Sequence, residues 1–208
     1  MVRKTKDEAL ETRNLILDTA ERLFSEKGVA RTSLAEIAAA ADVTRGAIYW
    51  HFKDKIDLFD AMLERMTLPI EEMLIEDAPL RTADPLGYLR RAAYNVVRRT
   101  ALDASRQRVF EIVMFKCEFV DQMHVVRERM ASARDACLAD IESAVRAAKR
   151  KGQLPKATNP RRAAIGLHAL IDGLIANWVI DPARFSLERE GPRLVEMFID
   201  GLACAGKS

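Results

Sequence analysis

The sequence predicts an all-α protein in two parts, with about nine helices in all. Residues 1–54 read as a three-helix N-terminal unit containing a helix-turn-helix, and residues 55–208 as a second helical part. Three observations predict this. Apolar residues recur at helical spacing and nowhere alternate with period two. Cap residues, prolines and glycines fall between those stretches, where helices start and stop. Between Ser33 and Lys55, two short apolar-periodic segments meet at a three-residue break, the spacing of a helix-turn-helix.

The first helix opens at the box Thr5-x-x-Glu8 and closes at Lys27-Gly28, a capping box and a C′ glycine in their expected places. Ile16, Ala20, Leu23 and Phe24 give it an apolar stripe to lay over the helix-turn-helix. Ser33 is the N-cap of the second helix, which turns Ile37, Ala38 and Ala41 inward; Val43 and Ile48 do the same from the turn and the third helix. Thr44, Arg45, Ala47, Tyr49 and His51 are left on the outer face of the third helix. These hydrogen-bonding and methyl-bearing groups suit base edges and phosphates. The same pattern also fits a packed hairpin whose aromatics are only filler.

The fourth helix opens at Asp54, with Asp57 in its first turn, and carries Leu58, Phe59, Met62 and Met66. Pro69 removes the bond to the carbonyl of Arg65, so this helix either kinks there or ends before a Pro79 loop. Asp84-Pro85 starts the next helix, through Val96 and Val97. After Asp103-Ala104-Ser105 comes a segment with Phe110, Val113 and Met114. A long helix runs from about Val120 to Lys151, closed by Gly152 and Pro155. Asn159-Pro160 opens a helix that is apolar on nearly every face through Trp178; Asp181-Pro182 breaks it, and a last helix spans roughly Pro192 to Ala203.

With 208 residues, 49% of them apolar and 31% charged, the chain is neither disordered nor built to span a membrane. No run approaches the roughly 20 apolar residues of a spanning helix, no signal peptide precedes the first helix, and a cytoplasmic location is expected. Cys117, Cys137 and Cys204 form no CxxC pair and read as structural thiols. His51, His124 and His168 show neither HxxxH nor HExxH spacing, so no metal or cofactor is expected. A helical enzyme or ligand carrier has no support: there is no Gly-rich phosphate loop, nucleophile elbow or paired-acid constellation.

Net charge does not announce a nucleic-acid partner. The chain totals +2, and residues 1–60 hold ten Lys/Arg against eleven Asp/Glu. Distribution matters more. Arg3, Lys4 and Lys6 form a cationic arm, and Arg45, Lys53 and Lys55 bracket the third helix, while Asp7, Glu8, Glu11, Asp18, Glu21 and Glu26 sit on a first helix that can turn them to solvent.

The run from Ser33 to Lys55 resembles the operator-reading domain of TetR-family transcriptional regulators. Arg3-Lys4-Thr5-Lys6, Glu8-Ala9-Leu10-Glu11-Thr12-Arg13, Val43 to Lys55 and the distant Lys116-Cys117-Glu118-Phe119 resemble in particular the AcrR-type repressors of multidrug efflux pumps. The resemblance implies a repressor that binds a palindromic double-stranded DNA operator and is released by a hydrophobic small-molecule inducer. DNA-binding residues are then Arg3, Lys4 and Lys6 in the arm, and Ser33. Thr44 caps the reading helix and reaches a phosphate. Arg45 has the fork for a guanine or a bidentate phosphate contact, Gly46 permits close approach, and Ala47 offers a methyl to thymine. Tyr49, Trp50 and His51 resemble the family's phosphate-clamping cluster, completed by Lys55; for Trp50 a core or interface role stands equally open. The family commonly has Gly where this chain has Asp42, a residue that tolerates left-handed geometry.

In the second part, Met66, Ile70, Ala93, Val96, Phe110, Met114, Cys137, Ile141, His168, Asp172 and Ile175 fall at helical spacings that can converge. They are either ordinary core or, as the resemblance implies, the lining of an apolar ligand cavity. Phe110 and Met114 replace more polar positions of some relatives, which would make this cavity greasier. Asp172 is the leading candidate, a carboxylate in an apolar run that is either buried at a cost of several kcal/mol or placed on a polar edge; His168 lies one turn earlier. Leu167, Leu170, Leu174, Trp178, Phe198, Ile199 and Leu202 carry more apolar surface than one core needs, and an isologous homodimer burying them as a four-helix bundle would use it. A related alternative is an activator, or a metal or redox sensor working through Cys117 and Cys137.

Overall fold

The computed structural model describes residues 6–118 and 124–204, with the side chains of 68–74 left out. Arg3, Lys4, the Thr5 cap, Phe119, Val120 and the side chains of Pro69 and Ile70 therefore lie outside the described residues. Ten α-helices are described and no strand: α1 (Lys6–Lys27), α2 (Leu34–Ala40), α3 (Arg45–His51), α4 (Lys55–Glu76), α5 (Ala78–Ala83), α6 (Pro85–Leu102), α7 (Ala104–Glu111), α8 (His124–Arg150), α9 (Pro160–Ile180) and α10 (Leu187–Cys204). A π-helical segment, Ile112–Lys116, continues α7.

These helices form two compact units: Met1–Leu68 with Ser105–Arg127, and Pro69–Ala104 with Glu128–Ser208. The sequence places the cut between the parts at 54/55 and the boundary between the halves inside or just after the fourth helix; the units divide inside α4, whose first part packs with the N-terminal helices together with the α7–π segment.

In the first unit α1 supplies the expected stripe: Ile16, Ala20, Leu23 and Phe24 are buried, with the Phe24 and Phe59 rings 6.0 Å apart. Gly28 ends α1 at φ 85°, a conformation glycine adopts without strain. Ser33 and Glu36 form a full capping box at the start of α2, and Asp54 caps α4 by accepting from the N–H groups of Ile56 and Asp57 at 2.9 Å. Ile37, Ala38, Ala41 and Ile48 are buried as expected. Val43 is half-buried.

Glu21 corrects the expectation that the acids of α1 all face solvent. Its side chain is 0% exposed and pairs with Arg65 of α4, and with Arg108 of α7 at 3.6 Å. The Ser105 hydroxyl donates to it at 2.9 Å. Arg65 also pairs with the more exposed Asp18 at 2.7 Å; burial opposes its charge, but Glu21 and Asp18 together raise its pKa above the ordinary value. Glu21 shares a face with Leu17 and Phe24, so its position on the apolar stripe was the available signal. Further along α1, the Ser25 hydroxyl donates to Glu111 at 2.8 Å, and the N–H of Val29 donates to the carbonyl of Lys116 at 3.0 Å. The α7–π segment thus tracks α1 from its middle to its end.

In the second unit α10 packs on α6 and α9, and α9 also on α6. A Cβ at Gly191 of α10 would stand 2.3 Å from Val97 of α6, so this crossing requires glycine. α4 is helical through position 69 to Glu76. The Pro79 loop is instead the short helix α5, with proline in its first turn. Asp84 caps α6 by accepting from Gly87 N–H at 2.9 Å. α10 begins at Leu187, five residues before Pro192, because the Ser186 hydroxyl accepts from Arg189 N–H and starts the helix there. α9 corrects another expectation: by length and composition it is apolar enough to cross a bilayer. Only 28% of its most apolar window is buried within the chain.

Candidate nucleic-acid interface

Four residues, Ala41-Asp42-Val43 and the cap Thr44, separate α2 from α3 where three were expected, with Asp42 at φ 53°, the left-handed conformation that favours glycine. Asp42→Gly is therefore expected to leave operator affinity unchanged and stability within about 1 kcal/mol of the parent, since relief of strain offsets glycine's extra unfolded-state entropy. Thermal unfolding and a gel-shift titration check this; a clear loss in either contradicts it.

Thr44 caps α3, its hydroxyl accepting from Ala47 N–H at 3.1 Å. This aims the start of α3 outward. Thr44, Arg45, Gly46, Tyr49 and Trp50 are exposed, and Ala47 and His51 half-buried. Among the described residues no hydrogen bond or ion pair ties the Arg45 guanidinium. A Cβ on Gly46 would meet nothing nearer than the Thr44 hydroxyl at 3.9 Å, so internal packing does not demand glycine there. Trp50 is 73% exposed, which removes the core reading, and its ring stands edge-on to His51 at 4.5 Å. Lys6 is exposed at the start of α1. Ser33 is exposed but committed to Glu36, donating from its hydroxyl at 2.9 Å; the Ser33 N–H, its hydroxyl and Lys27 hold Glu36 below the usual carboxylate range.

Lys55 is placed differently. Its ammonium donates to the carbonyls of Val29 at 2.9 Å, Thr32 at 3.1 Å and Ala30 at 3.4 Å. Burial lowers its pKa, opposed by Cys117 and Glu36.

The expected ligand residues are distributed over both units. Met66, Phe110 and Met114 belong to the first, where all are half-buried. In the second, Ala93 and Ile175 are closed in the core, and Val96, Ile141 and His168 half-buried. Asp172 is not buried: its side chain is 51% exposed, and its carboxylate meets His168 Nδ1 at 3.1 Å. The spacing places it on the outer edge of α9, so no desolvation cost arises. Cys137 is exposed on α8. Burial pushes the Cys117 thiol up to about 11; local desolvation, with Asp140 and Asp172, does the same for Cys137. Both shifts run away from the thiolate form on which ready oxidation depends.

Of the expected dimer residues, Leu167, Trp178 and Ile199 are buried in the chain's own core, because α9 already packs on α6 and α10. Leu170, Leu174, Phe198 and Leu202 are half-buried, and Ile165, Ile180 and Met197, which the sequence did not single out, are exposed.

A capped seven-residue helix presenting Thr44, Arg45, Tyr49 and Trp50 beyond a helix-turn-helix break defines a DNA-binding transcriptional regulator. The chain belongs to the TetR family: residues 16–62 match "Bacterial regulatory proteins, tetR family" and residues 84–204 "MAATS-type transcriptional repressor, C-terminal region". It is 43% identical over 203 residues to the HTH-type transcriptional regulator AcrR of Shigella flexneri, covering 96% of this chain and 93% of that one. Among solved structures it resembles NalD, the secondary repressor of the MexAB-OprM multidrug efflux pump of Pseudomonas aeruginosa, with TM-score 0.84 and 35% identity over 95% of this chain and 98% of that one. It also resembles SmeT, the repressor of the Stenotrophomonas maltophilia efflux pump SmeDEF. In its triclosan complex the TM-score is 0.79 and the identity 33%, over 92% of this chain and 91% of that one.

Proposed function

We propose that this chain is a cytoplasmic homodimeric repressor of multidrug efflux genes, with residues 1–54 reading a palindromic operator and residues 55–208 binding an inducer and dimerising. The observation that carries the reading is the outer face of α3, where Thr44, Arg45, Tyr49 and Trp50 stand free of the core. Two such helices read DNA together only when a dimer spaces them by about one helical turn or a multiple of it. The half-buried Leu170, Leu174, Phe198 and Leu202 and the exposed Ile165 and Met197 support α9 and α10 as the pairing surface. The efflux genes and the hydrophobic inducer rest on the relatives named above and on the apolar character of Ala93, Val96, Ile141 and Ile175 in the second unit. An inducer shifts the equilibrium toward a mis-spaced dimer only by its differential affinity for the two conformations.

The test is footprinting on the protein's own upstream region, with hydrophobic antibiotics, dyes and aromatics added. A protected palindrome released by at least one such compound supports the proposal. Equal affinity for operator and scrambled DNA overturns the repressor reading, and release only by a chelator or oxidant would replace the inducer with a metal or redox signal.

A further inference from the structure

One carboxylate oxygen of the second unit stands without a partner. Asp77 joins α4 to α5, and its side chain is 5% exposed. Its Oδ1 pairs with Arg91 of α6 at 3.0 Å, but its Oδ2 is closed to solvent and meets no hydrogen-bond donor among the described residues. Leaving a charged acceptor buried in that state destabilises the fold by more than the 1–3 kcal/mol, roughly, of a neutral group. A native chain that keeps such an oxygen has a use for it.

The surroundings say what that use is. Tyr88 of α6 is buried and donates its hydroxyl to Asp140 of α8 at 2.8 Å. Burial first, then Asp140 and, further down, Asp77 push the Tyr88 phenol above its ordinary pKa, against Arg81; Asp77 therefore lies within electrostatic reach of that hydroxyl. Asp140 in turn precedes Ile141 and acts on Cys137, so the polar cluster adjoins residues expected to line the ligand region. Its charges balance: Arg91 answers Asp77, and Arg81 answers Asp140 at 2.6 Å. The missing element is a proton donor and not a cation. An ammonium would be desolvated to leave the cluster with an excess positive charge, which is costly. A neutral hydroxyl supplies the donor alone and makes a short, charge-assisted bond to the carboxylate.

Because Oδ2 is closed to solvent, a donor reaches it only when a neighbouring element moves aside. α5 is that element. None of its six residues is buried, and it is fastened by polar ties: the Arg81–Asp140 pair and the Lys151 ammonium, which donates to the carbonyl of Ala83 at 2.8 Å. A segment held without apolar burial opens at low cost.

We propose that Asp77 is a ligand-orienting residue, whose free oxygen accepts from the phenolic hydroxyl of an uncharged aromatic inducer admitted by movement of α5. This rests on the inducer-binding reading above and adds the chemical class of the compound.

The test is calorimetric titration of the full-length protein at neutral pH with three probes of one scaffold: para-phenylphenol, para-methoxybiphenyl and the protonated para-phenylbenzylamine. The phenol is expected to bind about tenfold or more tighter than the ether or the amine, the effect of one hydrogen bond to a charged group. In Asp77→Asn the amide oxygen stays with Arg91 and its NH2 faces the site, so the acceptor is gone and the preference for the phenol disappears. Arg81→Met removes a tie on α5 and is expected to speed association of para-phenylphenol by about twofold to fivefold, the equivalent of a partly exposed ion pair. Equal binding of phenol and ether, tightest binding of the amine, a preference that survives Asp77→Asn, or no binding of any probe each overturns the proposal. If Asp77→Asn does not fold, the association rate of Arg81→Met decides, and an unchanged rate overturns it. Should footprinting find no compound that releases the protein, the inducer reading falls, while the three-probe titration still judges the Asp77 site.

Discussion

Arg45→Ala is expected to weaken operator binding by about 1–3 kcal/mol, roughly fivefold to 150-fold, the range for a bidentate guanidinium contact with a base. The reason starts from where the residue stands. Arg45 is the first residue of α3, directly after the Thr44 cap, exposed and tied to no acceptor among the described residues. A cation in the first turn opposes the helix dipole by about 0.3–1 kcal/mol, so removing it costs the fold nothing and slightly favours α3. Binding and stability therefore move in opposite directions, which separates a reading residue from a structural one. The measurement is affinity for the upstream site and for a scrambled duplex, alongside thermal unfolding. A larger loss on the specific site marks base reading, whereas equal losses on both duplexes reduce Arg45 to a phosphate contact. No loss on either removes it from the interface.

The reading helix was legible in the sequence because its signals are local. The Ser33 and Thr44 caps, the Ile37, Ala38, Ala41 and Ile48 stripe and the left-handed Asp42 each depend on residues within about a turn of one another. What escaped is what depends on residues far apart in the chain. The carbonyl of Lys116 meets Val29 across 87 positions, and no periodicity within α1 says that Ser105 and Arg108 close over Glu21. Lys55 shows the same limit: nothing local to it says that its ammonium reaches the carbonyls of Val29, Ala30 and Thr32. In the second unit the apolar period located α9 correctly but could not divide its faces between a core and a partner. That division depends on which side α6 and α10 occupy, so Leu167 and Trp178 went inward while Ile165 stayed out.

Glu21 gives the largest expected effect on stability. Arg65→Met preserves much of the side-chain volume and removes the principal cation paired with a carboxylate that is 0% exposed. Breaking a buried pair from one side costs about 3–5 kcal/mol, because the remaining charge keeps its desolvation penalty and loses its partner. The lower end applies here, since the Ser105 hydroxyl at 2.9 Å and Arg108 at 3.6 Å stay in place. The Arg65–Asp18 ion pair, which the same substitution removes, adds little, the Asp18 side chain being 61% exposed. The double substitution Glu21→Gln with Arg65→Met removes the stranded charge and is expected to recover more than half of the loss, whereas two independent interactions would give additive losses. Chemical denaturation of the parent, both single variants and the double variant measures this cycle. An additive result would mean that the buried carboxylate is held by Ser105 and Arg108 without Arg65. A recovery would identify the Glu21–Arg65 pair as the joint that fastens α1 to α4, with α7 closing over it, in the unit that carries the reading helix.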